Sequence, residues 1–294
     1  METIEDYLSY LEAHGRRPNT ISTYRLYLER ALGVLEEAGL PTDPESIGVG
    51  EIMIVKTALG DVKEGTRMRY CFVLGQMVEH YTGRNPFNEA DIMWNREIPK
   101  RTFITLDQFR ILCLNANPQT RMVLVLGAFL GLRRAEICGL HDSDYDLKRR
   151  TLTVRGKGHG PDGLVTIMDV PEVLAEEIEN YRARVRESGL PREDDGLVQN
   201  DGRGIWRSLT PATLSWMIKS LSEKCDIEVT PHTLRRLYAT TLYNEVGADL
   251  NTLRVLMRHT SVQTTLTCYV NADPQRLLDA SDRASEVLSG VLGC

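Results

Sequence analysis

The chain has 294 residues, 42% hydrophobic and 26% charged, with a formal net charge of −6. That length suits two ordinary domains and that balance a soluble globular protein; no run approaches the roughly 20 apolar residues of a membrane span, and the acidic, amphipathic start METIEDYLSYLEAHG is unlike a basic leader, so a cytoplasmic protein with no membrane partner is expected. The 6 cysteines are scattered without a CxxC pair, which points to reduced thiols and no structural metal, and the acidic balance argues against a nucleic-acid partner unless basic residues gather locally.

In chain order, Ile4, Leu8 and Leu11 mark a short amphipathic helix ending at Gly15. Asn19 or Thr20 then offers an N-cap for a helix carrying Ile21, Tyr24, Leu28, Leu32 and Leu35 at three- and four-residue steps and closing at Gly39. A further helix is expected near Glu51 to Leu59, and a longer one near Gly65 to Tyr81 with Leu74, Val78 and Tyr81 on one face. Residues 1–96 thus read as a small helical unit. TGRNPFNEADIMWNREIPKRTFIT loses the period, mixes charges and carries Gly, Pro and Asn, as a linker does, so a boundary is expected near residue 97.

Beyond it Thr105 caps the apolar face of TLDQFRILCLNA, and TRMVLVLGAFLGLRRAEICGL is apolar nearly all round until Arg133, as one buried helix with a charged end would be. RTLTVRG and GLVTIMDV read as two strands around the glycine-rich GKGHGPDG, with Lys157 near the tip of the hairpin. The chain then returns to helix through PEVLAEEIENYRARVRES, TPATLSWMIKSLSEKC, TPHTLRRLYATTLYNEVG and ADLNTLRVLMRH. The fold class is therefore mainly α with a small β-sheet, the second domain running over 97–294.

Taken singly, the polar residues permit bland readings. His232 and Arg235 form an HxxR that fits a solvated helix start after Thr230 and Pro231. Arg133 needs a partner if it ends a buried helix; Glu136 three residues on supplies an ion pair, or the planar fork of donors leans into a cleft to hold a phosphate. Lys157 suits an exposed hairpin tip as well as a substrate oxygen, and it is not a P-loop lysine, since Gly158 and then a strand follow it. His259 suits a helix C-terminus and Tyr269 a buried ring. As an ordered set, cations and neutral donors around a phenol suit attack on a phosphodiester whose charge is stabilised without a metal.

Five motifs carry a resemblance over nearly the whole chain. GLRRAEICGL resembles the first-arginine motif of the tyrosine recombinases of the phage integrase and Xer type, TVRGKGHG their hairpin lysine, PHTLRRLYATTL their HxxR helix, LMRHTS their second-histidine motif and TTLTCYV their nucleophile motif. The first 90 or so residues resemble the family's helical, SAM-like core-binding domain, through NTISTYRLYL and the exit GRNPF. The resemblance implies a mixed α/β catalytic domain in which Tyr269 forms a 3′-phosphotyrosyl bond, Arg133 and Arg235 hold non-bridging oxygens, His232 and His259 donate hydrogen bonds or tune proton transfer, and Lys157 protonates the departing 5′ oxygen. It implies no cofactor and no metal, double-stranded DNA as partner, cutting and rejoining through a Holliday junction, and a homo-tetramer on synapsed sites; it leaves accessory proteins unspecified. A type IB topoisomerase-like activity and an idle DNA-binding regulator on the same scaffold are the alternatives.

Arg236 stands where His or Arg is common; the features that depart from that pattern are Arg258, where glycine is usual, and the ten-residue step from His259 to Tyr269, one longer than in many Xer-like members. Basic residues do gather, in GRRPNT, TRMRY, KRRTLTVRGK and YRARVRESGLPR, so salt-sensitive DNA binding is expected despite the acidic total. Leu277, Ala280, Ala284, Leu288 and Val291 repeat at helical spacing in the tail; packing within the chain and docking on a neighbouring protomer both fit.

Overall fold

In a computed structural model of the chain, the structure describes residues 2–94, 102–156 and 164–258. The chain divides into two compact units, Met1–Lys100 and Arg101–Cys294. The boundary expected near residue 97 falls outside the described residues.

The first unit consists of α1 (Glu2–Ala13), α2 (Pro18–Glu37), α3 (Val49–Ala58), α4 (Glu64–Thr82) and the short α5 (Pro86–Glu89). Leu8, Leu28, Leu35, Ile52, Leu74 and Met77, each 2% exposed or less, share one core. Burying side chains of this size stabilises by about 1.5–3 kcal/mol each. Helix α2 starts before the Asn19 or Thr20 cap expected for it, because Pro18, with φ preset and no N–H to satisfy, takes its first position. A second difference is α5, inside the stretch read as linker: the side-chain Oδ1 of Asn85 accepts from the N–H groups of Phe87 and Asn88 at 3.2 and 3.3 Å, enough to turn the chain once.

The second unit begins with α6 (Leu106–Asn115), where Thr105 Oγ1 accepts from the Gln108 N–H at 3.1 Å and Gln108 Oε1 accepts from the Thr105 N–H at 2.9 Å. Helix α7 (Pro118–Phe129) is buried on every side from Met122 to Gly127. It does not continue to Arg133, as the apolar run suggests. Gly131 takes the left-handed conformation, φ +58°, and Arg133 turns extended at the N-cap of a separate short helix, α8 (Arg134–Cys138).

Strands β1 (Tyr145–Asp146), β2 (Thr151–Gly156) and β3 (Leu164–Asp169) form an antiparallel sheet in that order. Leu152 pairs with Met168 and Val154 with Thr166, and Leu152, Val154 and Met168 face the core. Helix α9 (Glu172–Glu187), the small pair β4 (Gln199–Asn200) and β5 (Arg207–Ser208), α10 (Pro211–Cys225), α11 (Pro231–Asn244) and α12 (Leu250–Leu256) complete the described residues. The two-residue strands β1, β4 and β5 are too short to leave a period in sequence. Burial pushes the Cys71 thiol up to about 12 and those of Cys113 and Cys138 to about 11, so these stay protonated near neutral pH. Among the described residues no helix is long and apolar enough to cross a membrane.

Candidate active site

Helix α11 brings the HxxR pair to the core of the second unit. Thr230 Oγ1 accepts from the Thr233 N–H at 3.1 Å and Pro231 opens the helix, which sets His232 and Arg235 in its first turn. Close approach to α7 depends on two glycines. A Cβ at Gly127 would lie 2.9 Å from Leu234 Cβ, and one at Gly131 would lie 2.5 Å from Tyr238 Cδ1. With those faces bare, α11 sinks in until Arg235 is 1% exposed. So deep a guanidinium must be hydrogen-bonded, and it donates to the backbone carbonyls of Gly131 and Met257.

Arg133 is fixed from the other side. Glu136, with 3% of its side chain exposed, receives Arg133 Nη1 on Oε1 at 2.6 Å and the Arg133 backbone N–H on Oε2 at 2.8 Å. Arg133 Nη2 donates to the Arg258 carbonyl at 3.2 Å, and 36% of the Arg133 side chain remains exposed. Arg258 Nη2 also donates to Glu136 Oε2, at 2.9 Å. Burial alone would push the Glu136 carboxyl up; the Arg258 charge, the Arg133 N–H and the Arg133 guanidinium outweigh it and hold the carboxyl below its usual value of 4.5. It is therefore an anion that fixes cations rather than a proton donor.

Arg133, Arg134, Thr230, His232 and Arg235 line one cleft of about 400 Å³. A larger cavity, about 650 Å³, lies beside Cys113, Arg121 and Glu177 and holds none of the candidate residues; there the Arg121 guanidinium is already paired with Glu177. Chemistry rather than size therefore selects the smaller cleft. His232 is exposed at the cleft, yet desolvation by the protein packed around it, followed by the charges of Arg236, Arg235 and Arg133, pushes its imidazole below 6.5. It is neutral at pH 7, with one nitrogen to donate and one to accept. Among the described residues no group of His, Cys, Asp and Glu is arranged to hold a metal ion.

Arg133, His232 and Arg235 are thus brought together, whereas Lys157, His259 and Tyr269 lie outside the described residues. The described residues next to two of these do converge. A Cβ on Gly156, the last residue of β2, would sit 3.3 Å from Glu136 Oε1, and Arg258 is bonded to Glu136 Oε2. Arg258 was visible in the sequence only as a departure from glycine; that its guanidinium is buried at Glu136 left no trace there.

A model of the phage integrase family matches residues 103–276. This chain belongs to the phage integrase family. Its tyrosine recombinase relatives include XerA of Pyrococcus furiosus, 29% identical over 300 residues that cover 99% of this chain and 96% of the relative. XerA of Thermococcus onnurineus is 29% identical over 304 residues, 99% and 98% of the two chains. The fold is similar to that of the Tn1549 transposon integrase, solved in complex with transposon right end DNA, with a TM-score of 0.72 at 18% identity over 98% of this chain and 99% of that one. As a tyrosine recombinase of the phage integrase family, the protein is mainly helical with small sheets.

Proposed function

We propose that the protein binds duplex DNA and exchanges strands at specific sites through the cleft of Arg133, His232 and Arg235, with Tyr269 as nucleophile. The Tyr269 phenol oxygen attacks the scissile phosphorus, the bond from phosphorus to the 5′ oxygen breaks, and a 3′-phosphotyrosine forms. His232, neutral at pH 7, and His259 assist transfer of the phenol proton, and Lys157 supplies a proton to the leaving 5′ oxygen. Arg133 and Arg235 stabilise the charge that builds on the non-bridging oxygens. Since the phosphotyrosine keeps the energy of the phosphodiester, the 5′ hydroxyl of a partner strand can reverse the step on new DNA, so paired exchanges pass through a Holliday junction.

One observation carries this reading: the N-terminus of α8, the end of β2 and the turn after α12 all meet at Glu136, beside a cleft lined by three arginines and a neutral imidazole. The residues that follow β2 and that turn are Lys157 and His259. A pool of nicked duplexes with degenerate centres tests it, because a nick beside the cut lets the released end diffuse away and traps the covalent complex. The protein should yield an adduct stable to SDS, and Tyr269→Phe should yield none. An adduct of equal yield with Tyr269→Phe would assign the nucleophile elsewhere.

We further propose a tetramer on two synapsed sites, with the tail after Asp273 docked on a neighbour. Truncation there should reduce junction formation well before it reduces single-site cleavage; equal recombination by the truncated chain would refute the docking.

A further inference from the structure

Arg258 occupies a position that its backbone would give to glycine. Helix α12 ends at Leu256, Met257 caps it with φ −78°, and Arg258 follows in the left-handed region at φ +53°, its N–H bonded to the Val255 carbonyl at 2.9 Å. A side chain costs free energy in that conformation and glycine does not. The arginine that stands there is buried, with 4% of its side chain exposed. Its guanidinium donates to the carbonyls of Leu130 at 3.2 Å and Gly131 at 3.1 Å, and to Glu136 Oε2 at 2.9 Å.

These contacts bear on Arg133. A guanidinium and a carboxylate three residues apart tend to close into a two-pronged pair, with both oxygens spent on one fork. Here Glu136 gives the Arg133 guanidinium Oε1 alone, while Oε2 is taken by Arg258 and the Arg133 backbone N–H. One negative charge is shared between two cations, so Arg133 is only partly neutralised and keeps its cleft-facing surface.

We propose that Arg258 is a positioning residue: by occupying Glu136 Oε2 and the carbonyls of Leu130 and Gly131, it limits the grip of Glu136 on Arg133 and leaves Arg133 directed at the phosphate in the cleft. This rests on the recombinase reading above. Removing Arg258 would let Glu136 swing both oxygens onto Arg133 and draw the fork out of the cleft. It would also remove the strain at residue 258, so a glycine variant separates the side chain's role from the backbone's.

The test uses the full chain with labelled arginine and pyrophosphate as the anion, followed by NMR at the Arg133 Nε–H; it needs no DNA target. Arg258→Gly should weaken the pyrophosphate affinity read at Arg133 by about tenfold and slow rotation about its Nε–Cζ bond, as a two-pronged pair does. Adding Glu136→Gln to that variant should restore both readings to within about twofold of wild type, because an amide cannot grip the fork in the same way. Wild-type affinity in Arg258→Gly would overturn the proposal, and so would a loss that Glu136→Gln fails to repair, which marks a merely structural role. If the glycine variant does not fold, Arg258→Met is read in the same way: it fills the site but offers Glu136 neither a donor nor a charge, and unchanged affinity at Arg133 would again overturn the proposal. The covalent adduct formed by wild-type protein on nicked DNA is scored separately, so its absence would refute the recombinase reading without deciding the role of Arg258.

Discussion

Arg235, at 1% exposure, has the carbonyls of Gly131 and Met257 as acceptors, and these tie α11 to the turn after α7 and to the end of α12. Arg235→Ala should abolish cleavage and also lower stability by about 3–5 kcal/mol in urea unfolding, since it empties a buried site, takes the guanidinium's hydrogen bond from the Met257 carbonyl and leaves the Gly131 carbonyl to Arg258. The HxxR spacing was legible in the sequence, but its burial was not: the same two residues fit a solvated first turn, and only packing against Gly127 and Gly131 decides between them. Glu136 adds a pH dependence. Its folded carboxyl lies below 4.5, so the stabilisation is fully present above the unfolded value and is lost as pH falls through the lower folded one. Glu136→Gln should therefore flatten the acid limb of a stability-versus-pH curve below about pH 4.5. His232 has the opposite charge type and the same sign of shift: its neutral form is favoured, and its NMR titration midpoint should lie below 6.5 and rise in Arg236→Ala, which removes a repelling cation.

Element boundaries were legible where a threonine cap sets them, but not at the Pro18 start of α2 or the Asn85 cap of α5. Thr105 and Thr230 cap helices in the structure as their positions suggest, because each hydroxyl sits directly before an apolar period. The break between α7 and α8 was not legible, because hydrophobic periodicity reports which face is buried and carries no signal for one left-handed residue at Gly131. That residue nevertheless decides the site, since it turns the chain so that Arg133 starts a new helix facing the cleft. Gly131→Ala should be costly on two counts, a strained φ of +58° and a Cβ 2.5 Å from Tyr238 Cδ1. A loss of about 2–4 kcal/mol is expected, read as a lower denaturation midpoint with an unchanged slope. A neutral Gly131→Ala would mean that α11 does not depend on this close approach.

At the scale of the whole molecule, the helical character and the small hairpin sheet followed from the order of periods along the chain, whereas the pairs β1 to β2 and β4 to β5 are local but rest on two-residue strands too short to show an alternation. The net charge of −6 is the feature that composition set against DNA binding. Binding is set by local fields, so the affinity for duplex DNA should fall steeply with salt; about six engaged phosphates give a log–log slope of about −5, and a slope near zero would exclude extensive phosphate contact. Mass spectrometry of the covalent complex, after nuclease trimming and proteolysis, reads whether a phenol of this chain becomes joined to the 3′ end of cut DNA. The expected product is a nucleotide linked through its 3′ phosphate to the peptide that contains Tyr269; attachment to any other residue, or through a 5′ phosphate, would refute Tyr269 as the nucleophile.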